Sequence, residues 1–257
     1  SAGVGFAIAR DIKGEDHQVI SVIGDGALTG GLSFEGLNNL GHLRTRMMII
    51  LNDNEMSISP NVGAMSKYLS KITTNPLYNR VRDEIWNVTG KLPIGKNTVR
   101  TGRKKIEESL KNLLVPGIIF DEMGIRYFGP IDGNDLPLLI STLENIKDIN
   151  TPVLLHIITK KGLGFAQAEA NPVKFHGIGP AAKPGQSSTK EEVPPFLNVF
   201  GDELTALAKK DKRIVAVTAA MRDGTGLLDF ADEHPDRFYD VGIAEGHAVT
   251  FAAALAA

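Results

Sequence analysis

Val19-Ile-Ser-Val-Ile-Gly24-Asp25-Gly26 is an apolar run that stops on a carboxylate with bare backbone on either side. Its length and branched side chains read as a buried strand, which puts Asp25 at the rim of a sheet. A second run, Met47-Met-Ile-Ile-Leu51, ends on Asn52-Asp53-Asn54, with 27 residues between Gly26 and Asn54. It brings the Asn54 amide oxygen to the same rim. Two hard oxygen ligands there suit an octahedral cation such as Mg²⁺, which takes few protein oxygens and leaves positions for phosphate. The Met56 carbonyl, just beyond Asn54, is available as a third ligand. Gly24 and Gly26 allow a diphosphate to approach the main chain closely.

Gly-Asp-Gly taken alone is a common turn. The pairing of Asp25 with Asn54, each closing an apolar strand, is what carries specificity. A dinucleotide fingerprint does not fit, because the third glycine is Gly30 rather than a glycine at 29. A P-loop does not fit either, since no Gly-Lys-Ser/Thr follows the strand.

Working outward, helix and strand patterns alternate. A small-residue helix over about 1–13 ends at Gly14, a C-cap residue. Strand 18–23, a helix near 30–41 and strand 46–51 follow. Residues 56–116 are irregular, with helical pieces near 66–87 and a charged helix near 102–114, and read as an insertion. The alternation resumes with a helix near 117–123, strand 125–128, helix 134–146 and strand 153–158. Residues 166–195, rich in Pro, Gly and Ser, read as a linker. A helix near 196–210, strand 213–218, a helix near 226–234 and strand 237–241 open a second unit. The fold expected is α/β, a doubly wound, mostly parallel sheet followed by the start of a second α/β domain. Open sheets of this kind bind ligands beyond the carboxyl ends of their strands. Asp25, Asn54, Lys161 and Glu245 all follow such ends.

The whole chain limits the function classes. It has 257 residues, 42% hydrophobic and 23% charged, with a formal net charge of -2. That balance gives no electrostatic case for nucleic acid or an anionic membrane. The basic cluster Arg100-Thr-Gly-Arg-Lys-Lys105 reads as a solvated helix start. There is no cysteine, so disulfides, thiolate zinc sites and cysteine nucleophiles are excluded. No apolar run reaches the roughly 18 residues of a membrane span. A reducing, cytoplasmic compartment fits, or a plastid for a plant protein. Ser1–Arg10 and Ala248–Ala257 both begin or stop inside helical patterns, which reads as a piece of a longer protein.

The Gly-Asp-Gly…Asn signature resembles the diphosphate-binding motif of thiamine diphosphate enzymes. Gly24-Asp-Gly-Ala-Leu-Thr, Ile50-Leu-Asn-Asp-Asn-Glu-Met-Ser-Ile-Ser, Phe128-Gly-Pro-Ile-Asp-Gly, Thr159-Lys-Lys-Gly, Phe175-His-Gly and Ile243-Ala-Glu-Gly-His-Ala-Val-Thr-Phe-Ala together resemble the 1-deoxy-D-xylulose-5-phosphate synthase family from end to end. The resemblance implies a thiamine diphosphate-binding fold. Residues 1–165 would form the diphosphate-binding domain without its opening, 166–195 a linker, and 196–257 the start of the pyrimidine-binding domain. It implies Mg²⁺ on Asp25, Asn54 and the Met56 carbonyl. Gly24, Gly26, Ala27, Asn54, Met56, Ile58, Lys161, Phe165 and Glu245 would contact the cofactor. Lys161 would neutralise diphosphate charge, and Phe165 stands where the family often has tyrosine.

His176 and Glu245 are the catalytic residues the resemblance implies. His176 aligns with a histidine at the substrate end; without the resemblance it is a loop histidine. Glu245 would hydrogen-bond the aminopyrimidine of the cofactor, which requires a buried, mostly apolar setting helped by Val241, Ile243 and Phe251. Alone it reads as an acid favoured at a helix N-terminus. Gly246 stands where the family usually has glutamine. His17, His42, His156 and His234 have no motif around them and read as structural or exposed. The activity implied for a complete protein is decarboxylation of pyruvate and transfer of its two-carbon unit to D-glyceraldehyde 3-phosphate, for isoprenoid, thiamine and pyridoxal precursors. A homodimer is implied for the full-length protein. The alternatives are a catalytically silent fragment that at most binds Mg²⁺–diphosphate, or a transketolase-like enzyme with another acceptor.

Overall fold

The computed structural model describes residues 1–56, 61–74, 117–177 and 194–257. They divide into two compact units. The first comprises Ser1–Ile23, Phe34–Asn52 and Lys67–Ile158; the second comprises Gly24–Ser33, Asp53–Ser66 and Thr159–Ala257.

The first unit is built on strands β1 (Ile20–Gly24), β2 (Met48–Asp53), β3 (Arg126–Asp132) and β4 (Val153–Ile158), in the order β1-β2-β4-β3. The last residues of β1 and β2 pass into the second unit. β4 pairs with β3 in parallel and lies inside the sheet. Five of its six residues, Val153 through Ile157, are buried, which explains a sequence with no polar alternation except His156. Each fully buried aliphatic side chain there contributes about 1.5–3 kcal/mol. Met48, Ile131, Ile146, Val153, Leu155 and Ile157 form the core cluster on one face.

Strand β3 runs four residues further than its sequence pattern predicts, through Gly129-Pro130 to Asp132. Gly-Pro pairs commonly mark turns, but β3 is the edge strand of the described sheet, where a residue without an N–H breaks no inner ladder. The register with β4 shifts between Phe128 and Ile131 to absorb it. Gly129, with φ +117°, packs against the His156 main chain where no Cβ would fit. His156 is fully buried, and its Nδ1 lies 2.8 Å from the Tyr127 hydroxyl. The Tyr127 ring stacks on Phe120 at 5.8 Å.

Helix α1 (Ala2–Lys13) ends as expected on Gly14, whose φ of 66° lets its N–H reach the Arg10 and Asp11 carbonyls. α3 (Gly31–Leu43) and α6 (Leu136–Ile146) also belong to this unit for most or all of their length. Asp135 caps α6, accepting the Leu138 N–H at 3.1 Å. α5 (Ile118–Glu122) is short. α4 (Ala64–Thr74) carries the described part of the irregular region and buries Leu69 and Ile72. The helical pieces expected beyond Thr74 and the charged helix near 102–114 lie outside the described residues.

The second unit contains a one-turn helix α2 (Asp25–Leu28), a short helix α7 (Ala166–Ala170) and α8 (Phe196–Lys210). Strands β5 (Ala216–Thr218) and β6 (Phe238–Asp240) pair in parallel. α9 (Leu228–Glu233) and α10 (Glu245–Ala256) complete it. Ala208, Ala216, Leu227 and Phe230 form its core cluster. Arg237 stitches this packing together: its guanidinium donates to the carbonyls of Ala208, Asp211 and Ile214 at 3.0–3.2 Å. Neither α2 nor α7 is predicted by periodicity, since both are too short to show one.

Candidate functional site

β1 ends at Gly24 in extended conformation, and the chain turns at once into α2. The Asp25 carboxyl is therefore carried inward, 5% exposed, where it accepts from the backbone N–H of Gly26. Gly26 is buried and Ala27 is exposed beside it. The turn holds itself: Thr29 Oγ1 donates to the Gly26 carbonyl at 2.7 Å and Ser33 Oγ to the Ala27 carbonyl at 2.8 Å.

At the end of β2 the chain reverses through Glu55, whose φ is +59°. Asp53 Oδ1 accepts the Glu55 N–H at 3.0 Å, and Asn54 Oδ1 accepts the Met56 N–H at 3.1 Å. Asp53 is 2% exposed and its carboxyl hydrogen-bonds that of Asp25. Asn61 donates its side-chain amide to Asp25 Oδ2 at 2.6 Å. Burial first, and the bond and charge of Asp53 second, push Asp25 up to about 7. Two buried carboxyls in contact form a site that a cation would relieve.

Asp53 and Asn61 are the site residues that motif reading misses. Asp53 was within reach of it, because Leu51 and Asp53 share a face at the period of two and Leu51 is fully buried. Asn61 carries no such signal. Ile58 lies outside the described residues.

After β4, Lys161 is half-buried. Burial lowers its pKa and the charge of Asp25 opposes that shift. Lys161 Nζ lies 3.0 Å from His176 Nδ1. The segment between them is folded on itself: the rings of Phe165 and Phe175 meet edge to face at 5.5 Å, and Glu169 pairs with Lys160 while accepting the Gly164 N–H. Gly162 has φ +82°, and a Cβ there would come within 2.7 Å of the Ala168 main chain. α7 thus stands where the sequence reads as linker. Phe165 packs on protein, with half its surface exposed.

Glu245 is the first residue of α10 and is exposed. The buried apolar setting expected for it is absent, because α10 carries no buried residue among those described. Of its expected neighbours, Phe251 instead stacks on His247 and meets Tyr239. The loop before Glu245 is nonetheless firm, since Asp240 Oδ1 accepts the N–H groups of both Ala220 and Gly242 at 2.9 Å.

Among the described residues no three His, Asp or Glu side chains converge as a metal cluster, and no helix is long and apolar enough to cross a membrane. A cation here would draw on mixed carboxyl, amide and carbonyl oxygens, the donor set of a hard ion.

Residues 194–257 match the family model described as transketolase, pyrimidine binding domain. With the mostly parallel α/β sheet, this defines a transketolase-type thiamine diphosphate fold. Residues 1–159 match the model described as 1-deoxy-D-xylulose-5-phosphate synthase, and the chain belongs to that family. The protein of that name from Desulfitobacterium hafniense is 52% identical over 257 residues, covering 100% of this chain and 41% of the relative. The one from Aquifex aeolicus is 53% identical over 260 residues, with 100% and 41% covered. The chain therefore spans about two-fifths of the length of these relatives.

Proposed function

We propose that this chain is the part of a 1-deoxy-D-xylulose-5-phosphate synthase that seats the Mg²⁺–diphosphate end of thiamine diphosphate. The observation that carries the reading is the contact between the buried carboxyls of Asp25 and Asp53, with Asp25 close enough for its charge to act on Lys161. Those acids call for a cation, and a lysine beside them suits phosphate oxygens. Asp25, Asn54 and the Met56 carbonyl would hold Mg²⁺, while Gly24, Gly26, Ala27 and Lys161 would hold the diphosphate, with Ile58 and Phe165 further along the cofactor. When bound, the cofactor supplies the carbanion chemistry. The chain's own part is to bind and orient it, with the Glu245 carboxyl at the start of α10 facing the far ring.

In this reading residues 1–165 form the diphosphate-binding domain, 166–195 a linker and 196–257 the opening of the pyrimidine-binding domain. The full-length protein would join pyruvate, less its carbon dioxide, to D-glyceraldehyde 3-phosphate, as a cytoplasmic homodimer serving isoprenoid precursor synthesis. With Glu245 exposed, the chain by itself would bind Mg²⁺–diphosphate without turnover. Calorimetry with thiamine diphosphate and Mg²⁺ tests the binding, using Asp25→Ala as control. Binding that survives Asp25→Ala would refute the assignment. Carbon dioxide release from pyruvate by this chain would refute its silence.

A further inference from the structure

We infer that Lys161 is a positioning residue that fixes the tautomer of His176, so that His176 offers an N–H to substrate and does not take a proton from it. The inference rests on the reading above for what His176 faces. The contact itself is 3.0 Å between Lys161 Nζ and His176 Nδ1. An ammonium has three donors and no acceptor, so the ring nitrogen facing it must accept. A neutral imidazole that accepts at Nδ1 carries its proton on Nε2. The exposed edge of the ring is then a donor, matched to a carboxylate or carbonyl oxygen of a small acidic substrate.

The fold holds the pair together from both sides. Lys161 leaves β4 just before the tight turn at Gly162, packed against Ala168. His176 donates its backbone N–H to the Val173 carbonyl at 3.1 Å, and Phe175 beside it packs edge to face on Phe165. Lys174 donates its N–H to Asn171 Oδ1 at 3.1 Å, closing the turn that delivers the ring. These contacts all lie between residues 159 and 177, so the geometry is built locally. A histidine that served as a base would need a lone pair at its open nitrogen, and this arrangement uses the lone pair inward. Nothing in the Gly-Asp-Gly…Asn motif requires it.

The test is ¹⁵N NMR of the chain labelled at histidine, near pH 8, with His176 assigned by His176→Gln. The expected spectrum has a pyridine-like Nδ1 and a pyrrole-like Nε2. Lys161→Arg retains donors and should keep that pattern, whereas Lys161→Met should bring the two shifts at least twofold closer as the tautomers mix. A protonated Nδ1 in the unaltered chain, or a Lys161→Met spectrum equal to it, overturns the inference. Failure of the unaltered chain to bind thiamine diphosphate, with the expected tautomer pattern present, would instead count against the functional reading alone.

Discussion

Asn61 donates its side-chain amide to Asp25 Oδ2 at 2.6 Å, on the carboxyl that Asp53 also contacts. An amide donor on one oxygen and a second acid nearby make Asp25 a group whose protonation depends on whether positive charge is present.

That dependence sets a pH signature. Asp25 stands at about 7 in the folded chain against an ordinary 3.8, raised by burial and then by Asp53. The folded state keeps a proton that the unfolded chain releases, so stability from this group is complete below about pH 4 and declines as pH rises to about 7. Without divalent cation, Asp53→Asn should raise the unfolding temperature at about pH 8 and change it little at about pH 5. Mg²⁺ should stabilise the unaltered chain more at the higher pH, by mass action on the ionised form. Differential scanning calorimetry reads both; an equal Asp53→Asn effect at the two pH values would contradict the coupling.

Arg237 is a second point of leverage. Its guanidinium satisfies carbonyls of Ala208, Asp211 and Ile214 near the end of α8. Arg237→Met should cost about 2–4 kcal/mol, because charge-assisted bonds to carbonyls are lost together. Arg237→Lys should recover less than half, since a point charge cannot span three acceptors. Urea unfolding followed by circular dichroism measures the difference.

Gly162→Ala places a methyl within 2.7 Å of the Ala168 main chain at a φ of +82°. Strain of about 1–3 kcal/mol is expected, enough to loosen the segment between Lys161 and His176. Limited proteolysis within residues 160–177 should accelerate several-fold, while hydrogen exchange of β4 stays unchanged. Equal cleavage rates would show that the turn tolerates the methyl.

Tyr127→Phe keeps the ring stacked on Phe120 but removes the hydroxyl 2.8 Å from His156 Nδ1. With His156 fully buried, the loss should be about 1–3 kcal/mol. A double-mutant cycle with His156→Leu should give a coupling of about 0.5–3 kcal/mol. Additive single effects would mean the bond contributes nothing to stability.

Where burial alone dictates residue type, the elements are legible. β4 spans the same six residues that its apolar run predicts, and Gly14 stops α1 because only a left-handed residue closes that helix easily. Local grammar fails where tertiary packing overrides it. Gly129-Pro130 has the composition of a turn but continues an edge strand, and four-residue α2 is too short to leave a period. The site divides the same way. Asp25 announces itself by ending an apolar run. Its partners do not: Asp53 is hidden between two asparagines, and Asn61 reaches Asp25 from 36 positions away. Glu245 is prominent in sequence, yet its exposure depends on what packs over α10, which no local pattern encodes.

A single acceptor, Asp240 Oδ1, serves the main chains of both Ala220 and Gly242. The connections following β5 and β6 therefore share one hinge pin. One carboxyl oxygen thus sets the paths of both connections, the second of which leads into Glu245.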